Sequence, residues 1–187
     1  VLAQTHLHVP FAIGTAYAQD AVTDVARQRY EEGVKAFDSG RYEDARTAFL
    51  QAYALKKHPA VLLNLGQNEL RSGHYEDAGN HLQQFLRQHT GASAQQKTTA
   101  EKGIAEAKKK SGFIVVIADA IGAQVSFDGV TIGTTPLLVP YFVKPGKHTV
   151  YASYQSKSAT TQVDAKAGSA AAATLTLGTS GAAAPPP

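Results

Sequence analysis

Cysteine, methionine and tryptophan are all missing from this 187-residue chain. Without cysteine there is no disulfide, no zinc–thiolate centre and no thiol nucleophile. Without methionine, a chain beginning at Val1 lacks even an initiator, so a processed product or a piece of a longer protein is expected. Charge is sparse, at 18% of residues, and its excess of +3 is not gathered in one stretch. Acids and bases mix between Arg27 and Lys110, which predicts a mixed-charge surface and no nucleic-acid stripe. No apolar run approaches the ~20 residues that a membrane span needs. Catalytic signatures are missing too: there is no G-x-S-x-G elbow and no H-E-x-x-H. The turn from Gly129 to Gly133 lies between predicted strands with no helix after it, so it is not a phosphate cradle. No catalytic group, metal ligand set or cofactor is expected.

What is there is a repeat. Ser39-Gly40-Arg41-Tyr42-Glu43-Asp44-Ala45 returns as Ser72-Gly73-His74-Tyr75-Glu76-Asp77-Ala78, one position of seven differing. The same 33-residue shift carries Gly33 to Gly66 and Phe49 to Leu82, and a fixed period of this length signals helical repeats. Gly40 and Gly73 suit the left-handed residue that ends a helix. Glu43-Asp44 and Glu76-Asp77 then place negative charge in the first turn of the next one. Small residues at Gly33, Ala45, Gly66 and Ala78 allow close approach, with Tyr42 and Tyr75 at the corners.

These positions resemble the tetratricopeptide (TPR) repeat. Its small-x6-Gly-x-Tyr-x2-Ala-x3-Phe-x2-Ala frame is met by Gly33, Gly40, Tyr42, Ala45, Phe49 and Ala52. Gly66, Gly73, Tyr75 and Ala78 meet it again, with departures at Leu82 and Phe85 and no early Trp. The resemblance implies a binding groove, which it places on Arg27, Tyr30, Val34 and Phe37 of the first helix and on Leu63, Asn64, Gln67, Leu70 and Arg71 of the third. Asn64 stands where TPR proteins that clamp a carboxylate carry Asn, but Tyr30 replaces the usual Lys and Val34 the usual Asn. A partner's apolar or mixed segment, or the body of the fifth helix, fits that surface better than a clamped carboxylate.

Apolar periodicity predicts five helices. The first spans about 21–38, with Val22, Val25, Ala26, Gly33, Ala36 and Phe37 buried; the second spans about 42–57. Pro59 opens the third, which reaches Ser72, and the fourth ends near 89–91. Ser93 and Gln96 form a capping box for the fifth. Its basic end, Lys108-Lys109-Lys110, suits the negative pole of a helix dipole. That helix reads as the cap a short solenoid needs.

At Ser111-Gly112 the period falls from 3.6 to 2. Strands are expected at 113–117, 123–127, 130–132, 137–139, 148–154, 160–163 and 171–177, with Asp128-Gly129 and Pro145-Gly146 as turns. Short strands so spaced predict a small antiparallel sandwich or barrel. Ala123, Val125, Asp128-Gly129, Gly133-Thr134-Thr135-Pro136-Leu137 and Pro145-Gly146-Lys147-His148-Thr149-Val150 resemble the PEGA domain, a β-module of bacterial envelope proteins. The eponymous Pro-Glu is replaced by Ala120-Ile121.

The expected class is therefore α+β: an extension or signal-peptide remnant at 1–20, TPR-like helices at 21–111, a PEGA-like β-domain at 112–178 and an Ala/Pro-rich spacer at 179–187. Ala16-Tyr17-Ala18 fits a secretory cleavage site, and together with the second resemblance it implies export to a bacterial periplasm or cell surface. Of the seven histidines, His74 and His81 are read as solvent-facing, with Asp77 and His81 as an exposed i, i+4 pair. The function implied is non-enzymatic, an adaptor or scaffold holding a protein partner. Self-assembly into an array or filament is the alternative.

Overall fold

Pro59 removes an N–H that a helix start leaves unbonded anyway, and the helix it opens ends on Gly73 at φ 82°. Such punctuation divides the first half of the chain into five helices: α1 (Ile13–Asp38), α2 (Tyr42–Leu55), α3 (Pro59–Ser72), α4 (Tyr75–Gln88) and α5 (Ala94–Lys110). The computed structural model describes the backbone of residues 13–177 and the side chains from Asp20 onward. The start of the expected extension, with His6 and His8, and the 179–187 spacer lie outside the described residues. No helix described is long and apolar enough to cross a membrane.

The repeat in sequence is a repeat in packing. The ring of Phe49 lies where a Cβ on Gly33 would sit, 2.7 Å away, and Leu82 lies 2.5 Å from the corresponding point on Gly66. Ala45 and Ala78 are fully buried at the two hairpin contacts. The helical core joins these to Leu62, Leu65, Phe85 and Ala100. α5 packs on through Gly103, whose missing Cβ admits Leu82 and Leu70, and it starts with the expected Ser93–Gln96 capping box.

α1 begins at Ile13, earlier than expected, and its outer half departs from the sequence reading. Val22 and Val25, placed on the buried side, are 44% and 42% exposed. The reason is length: α1 has 26 residues and its hairpin partner α2 only 14. α2 ends opposite Thr23, where Lys56 Nζ donates to the threonine hydroxyl at 3.3 Å.

Seven strands follow: β1 (Gly112–Ala118), β2 (Gln124–Phe127), β3 (Val130–Thr134), β4 (Tyr141–Val143), β5 (Gly146–Tyr154), β6 (Lys157–Ala165) and β7 (Ala170–Leu175). They form two sheets, of order β4-β1-β7 and β3-β2-β5-β6. Ile114, Val125, Phe127, Val150, Ala152, Val163 and Leu175 fill the core between them. Two expectations are corrected. β1 and β7 run parallel, from Phe113 opposite Ala170 to Ala118 opposite Leu175, so the first sheet is mixed. The strand expected at Leu137-Leu138-Val139 forms instead at Tyr141–Val143, after Pro140. Pro140 has no N–H for a ladder, and the backbone turns before strand pairing begins. Asp128 and Gly129, at φ 49° and 85°, make the predicted tight turn.

The two halves touch through α4 and β4. Phe142 is buried against Gly79, where a Cβ would come within 2.6 Å of its ring. Lys144 Nζ stands 3.6 Å from a Glu76 carboxylate oxygen across the same seam.

Candidate functional site

Helices α1, α3 and α5 present one shared face, and most of the expected groove residues meet there. Val34, Phe37, Asn64 and Gln67 line a cavity of about 200 Å3 with Asp38 and Phe49. Phe37 and Gln67 also border a second cavity of about 460 Å3, with Leu70, Arg71 and, from α5, Thr99, Lys102 and Glu106. The fifth helix is thus a wall of the groove. Arg27 and Tyr30 lie apart from these, on a largely apolar hollow of about 360 Å3 closed by Ala52, Lys56, His58 and Val61. Leu63 is not on this surface; it is buried in the helical core. Asn64 is already engaged, its Nδ2 donating to the Tyr30 hydroxyl at 2.5 Å. Arg27 is paired with Asp24 at 2.9 Å.

Behind α4 lies a charged cluster that the sequence reading missed. Glu69 is fully buried on α3. One carboxylate oxygen accepts from Arg46 Nε at 3.2 Å, and the other faces His81 Nδ1 at 2.8 Å. Arg46 also donates from Nη2 to Asp77 at 2.6 Å. The expected Asp77–His81 pair is therefore replaced by two longer-range pairs, His81 with Glu69 and Asp77 with Arg46. Burial pushes the Glu69 carboxyl above the usual carboxylate range, and the bond and charge of His81 offset this only in part. When Glu69 is ionised it only accepts, so His81 then donates to it from Nδ1, and Nε2 has no partner among the described residues. The repeat register held a signal for this pair. The positions 33 residues earlier are Ala36 and Ala48, both buried, so a charged pair stands where the first repeat has an apolar one.

The histidines are accordingly less exposed in role than expected. His74 pairs with Glu43 at 2.9 Å, and His58 caps α3 by accepting from the Ala60 N–H at 3.3 Å. His148 places Nδ1 2.6 Å from Asp128 and Nε2 2.7 Å from the Lys144 carbonyl. Burial raises the Asp128 carboxyl, but the Thr149 N–H and His148 outweigh it and hold it below the usual range. Ligand atoms of His74, Glu76 and Asp77 fall within 4.8 Å of one another, yet each of the three already faces a partner: Glu43, Lys144 and Arg46.

Compared with protein-family models, curated proteins and solved structures, the chain gives no match.

Proposed function

We propose that this chain is a non-enzymatic adaptor of a bacterial cell envelope, which holds a segment of a protein partner in the face shared by α1, α3 and α5. The observation that carries this reading is the convergence of Val34, Phe37, Asn64, Gln67, Leu70 and Arg71 on two adjoining cavities that share Phe37 and Gln67. Apolar and amide groups alternate there, which suits a segment of mixed character better than a single charge. The TPR-like reading is supported by the recurrence of one contact, Phe49 on Gly33 and Leu82 on Gly66. The PEGA-like reading rests on the Asp128-Gly129 turn and on Thr135, whose hydroxyl accepts from the Ala123 N–H at 3.0 Å. Export rests on Ala16-Tyr17-Ala18, and a mature chain starting at Gln19 is the expected product of the complete reading frame.

A photo-crosslinking residue at Gln67, in the groove, tests the adaptor reading against the same residue at Gln51, exposed on α2. In the cell that makes the protein, a discrete protein adduct from Gln67 and none from Gln51 is expected. Adducts from neither site, or equally from both, would reject the groove.

Self-assembly keeps one observation in its favour. Val115 and Ile117 are 37% and 52% exposed on β1, and among the described residues β7 has no strand on its outer side. Light scattering across a concentration series separates the two readings, with a constant monomer mass expected of the adaptor.

A further inference from the structure

Between α4 and the connection from β3 to β4 lies a cleft of about 450 Å3, a size that suits a small molecule. Its walls differ in chemistry. The β side is mainly apolar, with Ile132, Leu137 and Leu138, the last 83% exposed, beside the hydroxyl-bearing Thr131 and Tyr141. The α4 side carries nitrogen-bearing side chains, among them His81, Gln84, Arg87 and Gln88, and no carboxylate lines the cleft.

What these groups still offer follows from the bonds they already make. The Tyr53 hydroxyl accepts from Gln84 Nε2 at 2.8 Å and gives its one proton to Gln88 Oε1 at 3.3 Å. With its oxygen so used, Gln88 keeps its two N–H donors unpartnered among the described residues. His81 is held through Nδ1 by Glu69, and with Nδ1 as the donor its Nε2 adds no donor to the cleft while the ring is neutral. Arg87 is exposed at the cleft and has no ion pair or hydrogen bond among the described residues. The neighbouring acids are committed elsewhere: Asp77 and Glu69 to Arg46, and Glu76 toward Lys144.

A cation with no counter-charge among the described residues, set across a cleft from apolar side chains, is complemented by an anion that brings its own apolar surface. We propose that this cleft binds a small organic carboxylate, its charge on Arg87 and the Gln88 amide beside His81, its hydrocarbon body on Ile132, Leu137 and Leu138. The site is separate from the groove on α1, α3 and α5. It lies at the junction of the helical and β halves, so an occupant bridges them.

The test uses the intact chain, with amide and methyl NMR resonances read while probes are titrated. Hexanoate is expected to shift the side-chain amides of Gln84 and Gln88 and the methyls of Leu137 and Leu138 to saturation. Hexanol, hexylammonium and acetate are expected to leave them in place, since each lacks either the charge or the body. Arg87→Gln and Leu138→Ser alter solvent-facing side chains, and each should weaken hexanoate by about tenfold while the other resonances stay native. Equal response to hexylammonium, saturable binding of acetate alone, or wild-type affinity in Arg87→Gln would overturn the proposal. A peptide ending in leucine that shifts the same resonances where hexanoate does not would overturn it as well, by assigning the cleft to a chain terminus.

Discussion

The side-chain amide of Asn80 pairs with the backbone of Phe142, donating to its carbonyl and accepting from its N–H at 2.9 Å each. One residue of α4 thereby makes the two bonds that a neighbouring strand would make to the edge of β4. The junction of the two halves is thus specified by direction as well as by burial of the Phe142 ring.

Replacing Asn80 by Ala removes both bonds and is expected to cost about 1–3 kcal/mol, because the strand polar groups are left part-buried and unpaired. Asn80→Asp retains the acceptor but turns a carboxylate oxygen toward the Phe142 carbonyl, so it should cost at least as much as Ala. Urea unfolding followed by circular dichroism measures both; an unchanged midpoint in Asn80→Ala would show that the junction contributes nothing to stability.

Gly79→Ala sets two effects against each other. Helix propensity favours Ala by about 1 kcal/mol. The new methyl, however, falls 2.6 Å from the Phe142 ring, and overpacking of this kind costs about 1–3 kcal/mol. Net destabilisation is expected, and Phe142→Leu should partly relieve it. A double-mutant cycle on thermal unfolding reads the coupling, and strict additivity would place the two residues out of contact.

The glycines of the repeat separate packing from backbone conformation. At Gly33 and Gly66 a methyl meets Phe49 or Leu82, whereas at Gly40 nothing lies within 4 Å and only φ, at 72°, opposes it. Gly40→Ala should therefore cost about 1 kcal/mol from backbone strain alone. Trimming Phe49 to Leu should recover stability in Gly33→Ala and should do nothing for Gly40→Ala; melting temperatures of the four variants decide this.

Acid should affect Glu69 in a direction opposite to most carboxylates. Its folded-state pKa is raised by burial, so its contribution is fully present below the unfolded value near 4.5 and is lost as pH rises through the folded value. Asp128, held low by Thr149 and His148 against its burial, acts the other way: its contribution is lost as pH falls below about 3.8. Glu69→Gln keeps an acceptor oxygen for Arg46, turns an N–H donor toward His81 Nδ1, and does not titrate. The stability difference between this variant and wild type should move in the variant's favour from pH 4.5 upward. A pH-independent difference, measured by denaturant unfolding across that range, would mean that Arg46 and His81 fully compensate the buried charge.

Several features of the junction had a trace in the sequence that only the repeat register makes visible. Gly79 corresponds to Arg46, and an interior helical glycine costs stability unless something packs on it. That something is Phe142, 63 positions along the chain, and no local pattern pairs the two. Glu69 and His81, standing at the places of Ala36 and Ala48, carry a similar trace. Local spacing suggested Asp77 for His81; Arg46 captures Asp77 instead, because its long side chain reaches from α2 to Glu69 on α3 and to Asp77 on α4. Of the expected groove residues, Val34, Phe37, Asn64, Gln67, Leu70 and Arg71 line two adjoining cavities, while Arg27 and Tyr30 border another. Leu63 turns instead into the core with Leu62 and Leu65.

By itself the sequence determined the order of the elements and many of their ends, though not the position of β4. Gly40, Gly73 and Pro59 set the helix ends, the Ser93–Gln96 box starts α5, the switch of period at Ser111-Gly112 begins the strands, and Asp128-Gly129 turns them back. These are short-range effects, governed by backbone sterics and by hydrogen bonds within a few residues. Tertiary structure alone decided that β7 runs parallel to β1, that Val22 and Val25 stay exposed, and that Asn80 edges a strand 62 residues away. It also set His81 on a cleft with Glu69 behind it. Those outcomes depend on which surfaces meet once the helices and sheets exist, and the burial that selects them acts between residues far apart in the chain.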